Sequence, residues 1–253
     1  MLHRDRPRAE SFGAQAELYD RSRPSYPPEL IERVILLNPG PVLDVGCGTG
    51  IASRLFMDRG YEVLGVEPDA RMASVARDHG VAVEVAPFEC WQDRGRRFGL
   101  LISAQAWHWV DPDGGARRAA EVLAPTGAIA LFWNFGVPTA AVAGELARIY
   151  ARLAPELDGY SVLLGNRDER LAHAAGAIAR SGRFTAAERS VVAWERSYST
   201  SQWLEQLLTH SDHHGLPAER RTQLLEAVAE ALGGEHGGLE LRYETHLLSA
   251  RLL

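Results

Sequence analysis

Between Pro41 and Asn134, short aliphatic and β-branched runs alternate with longer stretches whose apolar positions recur at helical spacing. Pro41–Val45 reads as a buried strand, followed by a glycine-rich turn and a helix to about Arg59 that Gly60 closes. Glu62–Glu67 is a second strand. Pro68 breaks it, and Asp69 is placed to N-cap a helix ending at Gly80. Val81–Val85 and Leu100–Ala104 read as the next two strands, Asp113–Leu123 as a helix and Ala128–Trp133 as a fifth strand. Alternation at this spacing predicts right-handed strand–helix–strand crossovers, a parallel sheet, and a ligand crevice at the strands' carboxyl ends.

After Asn134 the alternation stops. Residues 139–154 and 168–181 read as helices and Ala187–Tyr198 as a strand. Ser199-Thr200-Ser201 offers an N-cap for a helix over Gln202–Leu208, and Pro217 opens another that runs to about Leu232. Four glycines, at 233, 234, 237 and 238, end it, and Leu239–Leu252 alternates as a last strand. The expected fold is therefore α/β: a doubly wound, seven-stranded, mostly parallel sheet with an antiparallel C-terminal strand and a helical lid. One domain over 1–253 divides into a binding core (41–135), lid insertions (136–183 and 199–236) and C-terminal strands (187–198 and 239–252).

Composition narrows the chemistry. With 46% hydrophobic and 24% charged residues the chain is an ordinary globular protein. No apolar run approaches the roughly 20 residues that span a bilayer, and Met1–Glu10 lacks the apolar stretch of a signal peptide. A cytoplasmic protein with no membrane partner is expected. Cys47 and Cys90 form neither a disulfide framework nor a metal spacing. Every basic side chain apart from histidine is Arg, so a lysine base or Schiff base is excluded. A net charge of −6 argues against a nucleic-acid partner.

Leu43-Asp44-Val45-Gly46-Cys47-Gly48-Thr49-Gly50 carries the strongest chemical signal. A strand running into three alternating glycines lets backbone approach a ligand where a Cβ would collide. With Gly46 and Gly48 as the first glycines of a dinucleotide fingerprint, the third small residue would fall at position 51, which is Ile51. A phosphate loop of the G-K-[ST] type is absent, since there is no Lys. Glu67, closing the second strand, can accept hydrogen bonds from both hydroxyls of a ribose. A nucleoside without a pyrophosphate fits this pair best.

The run V-L-D-V-G-C-G-T-G (42–50) followed by V-E-P-D-x-x-M (66–72) resembles the class I methyltransferases that use S-adenosylmethionine. Phe12-Gly13-x-x-Ala16-x-x-Tyr19-Asp20 with Arg23-Pro24-x-Tyr26-Pro27 looks like that family's N-terminal cofactor lid. Phe88-Glu89-x-Trp91 and Ser103-Ala-Gln-Ala-Trp-His-Trp-Val-Asp111 are similar to a bacterial branch akin to trans-aconitate-type small-molecule methyltransferases. The resemblance implies a Rossmann-like fold and a cofactor site. Gly46, Gly48 and Gly50 would pass close to its methionyl and ribose parts, with Asp44 beneath the turn. Glu67 would hold the ribose, Pro68 and Met72 would flank the adenine, and Phe88 and Glu89 would meet its edge. Ala104 and Gln105 would border the methionyl group, and Tyr19 and Arg23 would close over it. Gly99 departs from the family, which usually has Asp there; at the amino end of its strand the expected consequence is on stability.

The implied activity is in-line transfer of the methyl group of S-adenosylmethionine to a small-molecule acceptor, leaving S-adenosylhomocysteine. An enzyme of the same fold and cofactor that does not methylate is the alternative. His108 is a candidate general base, or else a histidine that orients its loop by backbone hydrogen bonds. Trp107, His108, Tyr160, Trp203, His210 and His214 are the candidate acceptor contacts. His210 and His214 could share a helical face, but Gly215 and Pro217 end the helix and no third ligand is evident, so no metal is expected. The late helices could instead pack on the sheet or form an interface, which leaves a homodimer open.

Overall fold

In the computed structural model, residues 10–38, 40–157 and 167–253 are described. Five strands come first: β1 (Val42–Val45), β2 (Val63–Glu67), β3 (Ala82–Val85), β4 (Phe98–Ala104) and β5 (Leu123–Val137). Two follow late in the chain, β6 (Glu188–Ser199) and β7 (Gly238–Arg251). They form one seven-stranded sheet in the order β3-β2-β1-β4-β5-β7-β6. The pairs among β1–β5 are parallel, whereas β7 runs antiparallel to both β5 and β6. The doubly wound sheet expected from the alternation is thus present. Because the order reverses at β1 and β4, the loops after these two strands diverge and leave a crevice between them.

The parallel strands are apolar on both faces because helices cover both. After α1 (Ala16–Ser22), one face is covered by α2 (Pro28–Ile35) and α3 (Ile51–Met57). Leu30, Ile31, Val34 and Phe56 pack there on Val42, Leu100, Ile102 and Phe132. The helix α4 (Ala70–Asp78) follows β2, and α5 (Pro112–Val122) follows β4. Asp69 and Asp111 cap them, accepting from the Arg71 and Gly114 N–H groups at 2.8 and 2.7 Å.

Beyond β5 lie α6 (Ala140–Leu153), α7 (Arg167–Ser181), α8 (Thr200–Leu208), α9 (Ser211–His214) and α10 (Ala218–Ala231). Three of them, α6, α8 and α10, share a separate apolar cluster built on Ile149, Trp203, Leu207, Leu224 and Val228, with Tyr198 from the end of β6 and Tyr243 from β7. A capping box starts α8: Gln202 N–H donates to Ser199 Oγ at 3.2 Å, and Ser199 N–H to Gln202 Oε1 at 3.0 Å. Part of the expected lid lies elsewhere: Leu171, Ala174 and Ile178 of α7 pack on the second sheet face with α5. Another difference is the length of β5, which continues past Trp133 because β7 pairs with it as far as Val137 opposite Arg242. No helix among the described residues is long and apolar enough to cross a membrane.

Candidate active site

The turn after β1 places Gly46, Gly48 and Gly50 at φ +68°, +57° and +83°, the left-handed region that glycine tolerates. A Cβ on Gly46 would meet Ala106 Cβ at 2.5 Å, and one on Gly50 would meet Val81 Cγ2 at 2.9 Å. Packing therefore excludes side chains at both. At Gly48 the nearest atom would be Met72 Cε at 3.5 Å, and Gly48 and Met72 both line the main cavity.

Glu67 ties this loop to the end of β2. Its Oε2 accepts the Gly48 N–H at 2.9 Å and its Oε1 the Asp69 N–H at 3.0 Å. Burial pushes the Glu67 carboxyl up to about 7, and the two N–H donors work against that rise. Asp44 is wholly buried behind the loop, where Oδ2 accepts the Ser53 hydroxyl at 2.6 Å and Oδ1 has no side-chain or backbone partner among the described residues. Burial raises its carboxyl to about 7 as well. Neither Asp44 nor Gly50 lines the main cavity: Asp44 lies behind the turn, and Gly50, expected to pass close to the ligand, packs against Val81 and Ala76 instead.

One cavity brings most of the expected residues together. Gly46, Gly48, Glu67, Pro68, Met72, Phe88 and Glu89 line it at the sheet, with Ala104, Gln105 and His108 at the end of β4. Gln105 holds a left-handed φ of +56°, pinned by its N–H to the Phe132 carbonyl at 2.9 Å and its Nε2 to the Asn134 carbonyl at 3.0 Å. Tyr19 and Arg23, on and just after α1, line the same space. The Arg23 guanidinium carbon lies 4.8 Å from the Tyr19 ring centre, and its Nη2 donates to the Thr209 carbonyl at 2.8 Å. Asp20 anchors α1, accepting from Arg54 at 2.9 and 3.3 Å and meeting His79 Nε2 at 3.0 Å.

The acceptor candidates divide. His108 lines the cavity, but its Nδ1 accepts the Trp133 indole N–H at 3.3 Å. That bond fixes the orientation of the ring from β5. Trp107 is 2% exposed and lies in the core, 6.2 Å from Phe88, because the 3₁₀ turn over Trp107–Trp109 directs it under β4; Trp109 lines the cavity instead. Trp203 is likewise absent from the lining: it is 1% exposed, edge-on to Tyr198 at 5.5 Å within the cap cluster. His210 does line the cavity. Tyr160 and the side chain of His214 lie outside what is described.

Residues that the sequence reading passed over join the lining, among them Asn134, Gln206, Asp212 and Tyr243. Asn134 had a signal, a lone polar residue within an apolar run. The others reach the cavity only through long-range packing. Among the described residues, no group of three or more His, Cys, Asp or Glu side chains could hold a metal ion.

Residues 42–127 match a family described as a methyltransferase domain. Over 250 residues the chain is 32% identical to an uncharacterized methyltransferase of Mycobacterium tuberculosis, with 96% of each chain covered. It is 29% identical over 144 residues to a trans-aconitate 2-methyltransferase of Mycobacterium tuberculosis, covering 54% of each. Among solved structures, a protein of Anaeromyxobacter dehalogenans described as a type II methyltransferase superposes with a TM-score of 0.66 at 24% identity, over 90% of this chain and 97% of that one.

Proposed function

The chain belongs to the class I S-adenosylmethionine-dependent methyltransferases, and we propose that it methylates a small molecule seated at the cap end of the cavity. The observation that carries this reading is the continuity of one cavity from the glycine loop and Glu67 to Gln206, His210 and Tyr243. A nucleoside fits the sheet end on two grounds. Gly48 leaves backbone where a Cβ would project beside Met72, and Glu67 offers a buried carboxylate whose loop is already fixed by N–H donors.

In this arrangement Glu67 accepts from the ribose hydroxyls, Met72, Pro68 and Phe88 enclose the adenine, and Gln105 and Ala104 border the methionyl chain. Tyr19 and Arg23 close the cofactor from the α1 side. S-adenosylmethionine supplies a methyl group on a sulfonium leaving group. The protein's part is to align an acceptor with it in a water-poor chamber, and alignment of this kind is worth about 7–11 kcal/mol of barrier. His108, oriented by Trp133, borders the acceptor at the end of β4. Incubation of the purified protein with methyl-labelled S-adenosylmethionine and a fractionated cell extract tests the reading. Label should appear in low-molecular-mass products; label confined to protein or RNA would refute a small-molecule acceptor.

A further inference from the structure

β6 is the outermost strand of the sheet, and among the described residues only β7 pairs with it. Its 12 residues keep an unbroken register with β7, from Glu188 opposite Ser249 to Ser199 opposite Gly238. Sheets commonly guard an edge of such length with a proline, a bulge or a lysine, and β6 has none of these. Val191, near its middle, is instead a large apolar side chain left 41% exposed.

The backbone of this edge is open in an alternating pattern. Thr200 continues the register, its N–H bonding to the Gly237 carbonyl at 3.4 Å, and the Tyr198 carbonyl oxygen lies 2.6 Å from where a Cβ on Gly238 would stand. Backbone polar groups change side at each residue of an antiparallel strand, so the even-numbered residues of β6 turn theirs to β7. Those of Arg189, Val191, Ala193, Glu195 and Ser197 face outward.

We propose that β6 pairs antiparallel with the β6 of a second copy of this chain, about a two-fold axis at Val192. Such a contact sets residues equally spaced before and after Val192 opposite one another, on the same face of the sheet. Glu188 then meets the partner's Arg196, and Arg189 the partner's Glu195; the axis repeats both, so every charge on the edge faces its opposite. The outward backbone groups of Val191 meet those of the partner's Ala193, as an antiparallel ladder requires. Moving the axis to Val191 or to Ala193 leaves none of these four charges opposite another. Glu188 and Glu195 are exposed and have no ion-pair partner among the described residues. Arg189 Nη2 meets His246 Nδ1 at 2.9 Å and Asp168 Oδ1 at 3.5 Å, and Arg196 Nη1 donates to the Arg23 carbonyl at 3.4 Å. Each guanidinium keeps further N–H groups for the carboxylate of a second copy.

Sedimentation of the purified full chain over a range of concentrations tests this, and the wild type should associate to twice the mass of one chain. Ala193→Pro removes an outward N–H that β7 does not use, so it should leave a folded monomer. Glu188→Arg combined with Glu195→Arg sets like charges opposite one another and should weaken association about tenfold or more. Arg189→Glu combined with Arg196→Glu should do the same, and an equimolar mixture of the two double variants should regain a dimer. Circular dichroism and thermal melts establish which variants are folded. Hydrogen exchange at the Val191 and Glu195 amides should slow as the wild-type concentration rises. A wild-type chain that stays monomeric at the highest concentration reached overturns the proposal. So does a dimer that folded Ala193→Pro, or the folded Glu188→Arg, Glu195→Arg chain, leaves intact to within threefold. Folded double variants that fail to pair when mixed would overturn the register about Val192.

Discussion

Gly48 combines a φ of +57° with a Cβ direction that meets only Met72. A side chain there is strained and sits beside the cavity. Gly48→Val should therefore abolish calorimetrically detectable binding of S-adenosylhomocysteine, and a folded variant binding within threefold of wild type would place the cofactor elsewhere. Glu67 allows two readings by the same method. Charge-assisted hydrogen bonds are worth about 1.5–3 kcal/mol each, so Glu67→Ala should weaken binding at least tenfold. Unchanged affinity in a folded Glu67→Ala protein would take that carboxylate out of the site. In the ligand-free protein the same residue sets a pH dependence. Its folded pKa of about 7 lies above the ordinary 4.5, so the favourable protonated form is complete below about 4.5 and is lost as the pH rises towards 7. Glu67→Gln mimics the protonated form. Its Tm relative to wild type should rise between pH 4.5 and pH 8 and then level off, and a difference independent of pH would contradict a raised carboxyl.

Strands β1 to β4 and the helix starts at Asp69 and Ser199 were legible in the sequence because each is a local matter: a short apolar run, a side-chain oxygen beside a first turn. What escaped local reading depends on partners far along the chain. The extension of β5 exists only because β7 lies against it, and α7 leaves the cap because Leu171 and Ile178 find the sheet. Trp107 and Trp109 stand two residues apart in one motif, yet the short turn sends the first into the core and leaves the second on the cavity. Gly99 could be placed at its strand end, but not its reason. At the start of β4 it packs on Gly40, where a Cβ would come within 2.6 Å of the Gly40 Cα. Gly99→Asp should therefore cost about 1–3 kcal/mol and lower Tm by several degrees, with S-adenosylhomocysteine affinity within twofold. Equal Tm values would show that the two glycines have room to spare; a lost affinity would tie this distant end of β4 to the site.

At the scale of the whole chain, the cavity is a junction of distant segments. Phe12, Tyr19 and Arg23 come from its beginning, Gly46 to Met72 and Ala104 to Val110 from the sheet, and Gln206, His210 and Tyr243 from its last fifth. Arg23 bonds directly across this junction to Thr209, and Arg196 Nη1 donates to the Arg23 carbonyl at 3.4 Å. A ligand that binds only the folded chain stabilises it by about 2.7 kcal/mol at one hundred times its Kd. For a chain of this size that is a rise of about 5–10 °C in Tm. S-adenosylhomocysteine should produce such a rise, and NAD, whose pyrophosphate finds no matching loop here, should not. Because three separated segments share the cavity, the same titration followed by hydrogen exchange should slow the amides around 16–23, 46–50, 67–72, 104–110 and 206–213 together. Protection confined to 46–50 and 67–72 would mean that the cofactor sits on an open sheet edge, and that neither α1 nor the α8–α9 corner closes over it.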